Sequence, residues 1–113
     1  MFFSHRMREA IAVWAVLVLA ALLELGGDAG VRLGLRGRGW GFLAGPLALV
    51  AYGFVVNAPR WGFGRLMGVY IAVFFLVSQL LALIVFRERL QPPALVGGAL
   101  IVAGGLLLTF WHR

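Results

Sequence analysis

The chain contains no cysteine and no lysine, and only four acidic residues (Glu9, Glu24, Asp28 and Glu88) stand against ten arginines. Without cysteine there are no disulfides and no thiolate metal sites. Long polar stretches are missing too, so the segments between apolar runs leave no room for a catalytic domain. No Ser, His and carboxylate set occurs within the apolar runs. His5 and His112 lie near the ends of the sequence, where solvation accounts for them. The glycines of the first connection do not follow a strand, so a phosphate-cradling loop is unsupported. An enzyme is therefore not expected, nor a metal centre, nor any other cofactor. The net charge is +6, but the arginines form small clusters between apolar runs rather than one stripe. Membrane proteins keep loop charge in such clusters, and nucleic acid is not an expected partner.

What the chain has in abundance is apolar side chain. Of its 113 residues, 63% are hydrophobic and 12% charged, and mean hydropathy is +1.00. A soluble domain of this size buries too small a fraction of its surface to hide that much apolar area, so the expected solvent is a lipid bilayer. Four apolar runs predict helices over about residues 11–32, 40–57, 65–86 and 93–111. Crossing the hydrocarbon core takes roughly 17–25 residues, and the short alternating segments of a membrane barrel are absent. Arg6 and Arg8 before the first run resemble the start of a signal peptide, but the run continues to Arg32 and three more follow, so a retained first helix is expected. The connections are short, which makes consecutive helices antiparallel neighbours. Trp40, Trp61 and Trp111 sit at run ends, as interfacial anchors do. The expectation is an all-α membrane protein: one four-helix transmembrane domain spanning residues 1–113.

Alternation of the helices puts Arg6, Arg8, Arg60, Arg65 and Arg113 on one side, and Arg32, Arg36, Arg38, Arg87 and Arg89 on the other. Five face five, so the positive-inside rule has no difference to act on. A chain without bias inserts both ways and pairs with an inverted copy, which points to an antiparallel, dual-topology homodimer. One loop outweighing the others, or a second protein setting the topology, are the alternatives.

Glu24 is the strongest chemical signal. It lies within two or three residues of the middle of the first span, roughly 4 Å from its centre at ~1.5 Å per residue. An ionised carboxylate there is costly unless it meets a cation, water or a proton. Such an acid can exchange a proton for a cationic substrate; a structural acid is the alternative. Asp28 and Arg32 follow at one-turn intervals, giving a polar ladder toward one surface. Asp28 reads either as a second acid lining a cavity or as a partner of Arg32. Ala20, Ala21 and Gly27 allow close helix approach or leave space for a ligand. On the third span Met67, Tyr70, Phe74 and Val77 follow helical spacing. Tyr70 can hydrogen-bond a carboxylate or lay its ring against a cation. Ser78 and Gln79 read first as bonds across helices. On the fourth span Gly97 and Gly104 are seven apart, as are Gly98 and Gly105, which keeps small residues along one seam. That seam is either a subunit contact or packing within one protomer.

Taken in order, Glu24 with Gly27, Arg32, the run Gly64-Arg-Leu-Met-Gly-Val-Tyr70, Phe86-Arg-Glu-Arg-Leu90, and Gly97 with Gly104 resemble the small multidrug resistance family and its YnfA-type relatives. Both belong to the drug/metabolite transporter superfamily, and the resemblance runs from about Trp14 to Thr109. It implies a four-helix protomer in a homodimer of a bacterial inner membrane. It makes Glu24 a shared proton and substrate site, with Gly27 following it and Tyr70 at a substrate-contacting aromatic position, and it matches Gly97 and Gly104 to a helix 4 dimer motif. The residue readings above add Asp28 and Met67 to the expected site and Gly98 and Gly105 to the expected dimer seam. The implied activity is proton-coupled export of cationic, partly hydrophobic compounds, of drug, quaternary-cation or polyamine type. The chain departs from drug exporters in carrying Tyr at position 70 rather than Trp, Ala72 and Phe74 in place of small glycines, and the extra acid Asp28. A metabolite or lipid-carrier translocator subunit of the same superfamily, or a non-transporting scaffold, are the other readings.

Overall fold

The computed structural model describes residues 4–111. His112 and Arg113, which entered the sequence readings above, lie outside the described residues. Four helices follow one another: α1 (His5–Leu35), α2 (Gly41–Val56), α3 (Phe63–Ile84) and α4 (Pro92–Phe110). The protein is an all-α, multi-pass membrane protein. At ~1.5 Å per residue the helices are about 46, 24, 33 and 28 Å long, against a hydrocarbon core of ~30 Å. α1, α3 and α4 are long and apolar enough to cross a membrane, and α2 is a shorter apolar helix.

The boundaries differ from the sequence expectation mainly at α1, which starts six residues earlier and ends three later. Hydropathy marks the lipid-facing stretch, whereas capping marks the helix. At the start, the Ser4 hydroxyl accepts the Met7 N–H at 3.1 Å, as an N-cap residue does. At the end, Gly37 adopts φ +99°. Its N–H bonds the Gly34 carbonyl at 3.2 Å and the Arg38 N–H bonds the Leu33 carbonyl at 2.9 Å. This is a Schellman stop, which requires a left-handed residue where only glycine sits without strain.

The bundle is built from two hairpins. α1 packs along α2, α3 packs along α4, and a smaller α1–α3 seam joins the pairs. The α1–α2 crossing is made of glycine. A Cβ on Gly30 would fall 2.8 Å from the Gly45 Cα, and one on Gly45 only 2.6 Å from the Val31 nitrogen. A Cβ on Gly41 would come closer still, to the Gly30 carbonyl oxygen. Small residues spaced by four let two backbones touch in this way. The α1–α3 seam holds the fully buried Leu17, Ala20, Ala21, Val69 and Val73. Apolar side chains elsewhere are widely exposed, among them Leu43, Leu47 and Phe54 on α2 and Leu95, Val96 and Leu100 on α4. In a membrane protein such exposed apolar side chains meet lipid or another chain.

Candidate functional site

The residues that close the α1–α3 seam also build the site. Ala20 and Ala21 are fully buried and bring α1 close to α3 one turn before Glu24. Tyr70, 6% exposed, then reaches across. Its O–H donates to Glu24 Oε1 at 2.6 Å, a length typical of hydrogen bonds to a charged acceptor. Glu24 itself is half-buried. A second tyrosine, Tyr52 of α2, sets its ring 5.7 Å from that of Tyr70 at 39°, and Phe74 follows on the other side of Tyr70 at 6.0 Å. The carboxylate is thus bonded by Tyr70, whose ring neighbours those of Tyr52 and Phe74, three aromatic rings contributed by two helices. Such rings suit a cation, which their faces attract, while Glu24 Oε2 is left for a proton or a positive group.

The other expected site residues are distributed differently. Asp28 is exposed one turn further along α1. Met67 is half-buried one turn before Tyr70 and packs on the same apolar core. Gly27 does not face Tyr70. Its missing Cβ would meet Leu49 at 2.6 Å and the Gly45 carbonyl at 3.0 Å, so Gly27 belongs to the α1–α2 crossing. Ser78 does not bond across helices; its hydroxyl donates to the Phe75 carbonyl of its own helix at 2.8 Å. The fourth-span glycines divide into two faces. Gly98 lies against Phe75 and Gly105 against Ala72, both on α3, whereas Gly97 and Gly104 have open space beside them. Packing within one protomer thus accounts for the first pair.

A protein of Herpetosiphon aurantiacus described as a UPF0060 membrane protein is 30% identical to this chain over 102 residues, covering 87% of this chain and 93% of its own length. One from Mycobacterium sp. (strain KMS), described in the same words, is 42% identical over 102 residues, covering 88% and 90%. The chain belongs to the UPF0060 membrane proteins. A further UPF0060 membrane protein, from Kineococcus radiotolerans, is 41% identical over 101 residues, covering 86% of this chain and 89% of its own. No family model matches the chain, and no solved structure matches it.

Several residues that shape this UPF0060 protein were not singled out by sequence reasoning. Tyr52 was hidden inside an apolar run, although a mid-span tyrosine carries a polar tip that needs a partner. Gly30-x-x-x-Gly34 and Gly41-x-x-x-Gly45 are legible small-residue motifs. A third group ties three helices together at one end of the bundle. Arg65 at the start of α3 donates through Nε to the Leu108 carbonyl at 2.8 Å and through Nη2 to that of Thr109 at 2.7 Å. Its guanidinium stacks 3.7 Å over the Trp61 ring. Arg6 of α1 donates to the Phe110 carbonyl at 3.1 Å. The last carbonyls of α4, which have no partner within their own helix, therefore receive cationic donors from α1 and α3. Just inside, Trp14 Nε1 donates to the Thr109 hydroxyl at 3.0 Å, and that hydroxyl donates to the Gly105 carbonyl at 2.8 Å.

Proposed function

We propose that this protein is a proton-coupled transporter that exports cationic, partly hydrophobic compounds, with Glu24 as the group that proton and substrate share. The observation that carries this reading is the 2.6 Å bond from Tyr70 to the Glu24 carboxylate inside the bundle. An acid in the interior of a span is costly to keep, and here it accepts from a tyrosine hydroxyl and, among the described residues, is matched to no arginine. One carboxylate holds one positive charge at a time, so proton binding displaces a bound cation and a cation displaces the proton. Tyr70 orients the carboxylate and, with Tyr52, offers ring faces to the substrate's apolar cationic group. The resemblance to the small multidrug resistance family supports the same reading. In it two copies pair through α4, with Gly97 and Gly104 as the available small-residue face, and the protein works in a bacterial inner membrane. Bacterial relatives support that location.

The test is proton release from detergent-solubilised protein on addition of candidate lipophilic cations, wild type beside Glu24→Gln and Tyr70→Phe. Release is expected from wild type, none from Glu24→Gln, and weaker cation binding from Tyr70→Phe. Equal release from Glu24→Gln, or none from wild type with any cation across the near-neutral range, overturns the reading.

A further inference from the structure

α1 and α4 do not close against each other along their whole length. Between them, at the end where Arg6 meets Phe110, lies an apolar groove of about 280 Å³ lined by Ala10, Ile11, Trp14, Leu106 and Phe110. We propose that this groove, with Arg6 at its mouth, is a binding site for an anionic phospholipid: an acyl chain lies in the groove and the headgroup phosphate rests on the Arg6 guanidinium.

Three observations commit the groove to that occupant. Arg6, Ala10 and Trp14 form one row at four-residue spacing on α1, so they lie on one face in line. The charge therefore stands directly over the apolar lining. From Arg6 to Trp14 the row covers about 12 Å, within the ~15 Å depth of one leaflet. The groove is thus charged where headgroups lie and apolar where chains lie. Its floor is fixed, because the Trp14 indole is tied to Thr109. Arg6 uses one nitrogen, Nη2, on the Phe110 carbonyl, and a guanidinium has further donors suited to phosphate oxygens.

The groove also lies away from the open glycine face of α4. At ~100° per residue, Leu106 and Phe110 stand about 200° and 240° around the helix from Gly104. A second copy seated on Gly97 and Gly104 would leave the groove open to lipid. Arg8 supplies an internal control. It is exposed at the same end of α1 but lies about 200° around the helix from Arg6. Any effect of overall surface charge falls on Arg6 and Arg8 alike, whereas a built site depends on Arg6 alone.

The experiment reconstitutes the full chain in phosphatidylcholine vesicles. It measures quenching of tryptophan fluorescence by phosphatidylglycerol brominated on its acyl chains, beside brominated phosphatidylcholine at equal mole fraction. A severalfold preference for the anionic lipid is expected in wild type, from the charge-assisted hydrogen bonds that the Arg6 guanidinium offers to a phosphate. Arg6→Gln should abolish the preference and Arg8→Gln should retain it. Ile11→Phe/Leu106→Phe, which narrows the groove at two exposed positions, should reduce quenching by both lipids. Equal quenching by the two lipids in wild type overturns the proposal. So does an equal loss of preference in Arg6→Gln and Arg8→Gln, which would mark general surface attraction. Unchanged quenching in the groove-narrowing variant also overturns it.

Discussion

Gly45→Ala and Gly53→Ala make the same chemical change on the same helix and should act in opposite directions. Both replace glycine within α2, so both gain about 1 kcal/mol of helix preference. Gly53 has nothing within 4 Å of the position its Cβ would take, so its substitution keeps that gain. At Gly45 the new atom would fall 2.6 Å from the Val31 nitrogen and 2.9 Å from the Gly27 carbonyl oxygen. Both are backbone atoms of α1 and cannot rotate aside. Ordinary contact begins at 3.4 Å, so the two helices must part by 0.8 Å (3.4 − 2.6) at the crossing. Overpacking of that kind costs about 1–3 kcal/mol. Because the helix preference cancels between the two variants, their difference should itself be about 1–3 kcal/mol, with Gly45→Ala the less stable. Unfolding of the purified protein in mixed micelles by increasing denaturing detergent, followed by helical circular dichroism, reads this difference. If both variants shift the midpoint in the same direction by the same amount, the glycine crossing does not set the α1–α2 distance.

Three further perturbations test other parts of the fold. Gly37→Ala puts a side chain at φ +99° and should lose about 1–2 kcal/mol by the same assay, whereas Gly39→Ala, with open space beside it, should lose much less. Arg65→Gln removes the cationic fork from the Leu108 and Thr109 carbonyls and should cost about 1.5–3 kcal/mol, and Arg65→Lys should recover only part, since an ammonium cannot reproduce the planar two-bond geometry. Thr109→Val leaves the Trp14 indole N–H without its acceptor and should cost about 1–3 kcal/mol. Adding Trp14→Phe to it should cost less than the sum of the two single changes, a coupling that a double-mutant cycle measures.

The elements and the central contact were legible for different reasons. Each helix showed as an apolar run because lipid selects for apolar side chains along the whole span. Glu24 showed because a carboxylate within such a run is costly, and Tyr70 because its register on α3 put a polar tip toward the core. Their bond joins residues 46 apart in sequence, yet burial of both groups narrowed the choice of partner. Helix faces were harder to read. Gly27 lies three residues from Glu24 and reads as part of its surroundings, but it stands about 60° around the helix from Glu24, enough for the α1–α2 crossing to claim it. Gly98 and Gly105 have the same spacing as Gly97 and Gly104, so sequence alone cannot say which seam meets α3. Side-chain bulk decides it: Phe75 and Ala72 of α3 leave room for hydrogen only. Ser78 found its acceptor one turn back, a bond open to any mid-helix serine. Hydropathy also misplaced the ends of α1, because Ser4 and Gly37 act through backbone geometry rather than through affinity for lipid.

The clasp at the end of α4 has a consequence for how the chain is made. α1 and α2 are synthesised first, and their glycine crossing needs nothing from the later helices. The indole of Trp14 and the guanidinium groups of Arg6 and Arg65, by contrast, find their acceptors on residues 108–110. Those residues are among the last of the described chain to leave the ribosome. The residues of the α1–α2 crossing are therefore all made before the carbonyls and hydroxyl that Arg6, Trp14 and Arg65 bond, so those three side chains can meet their α4 partners only after the last turn of α4 has been synthesised.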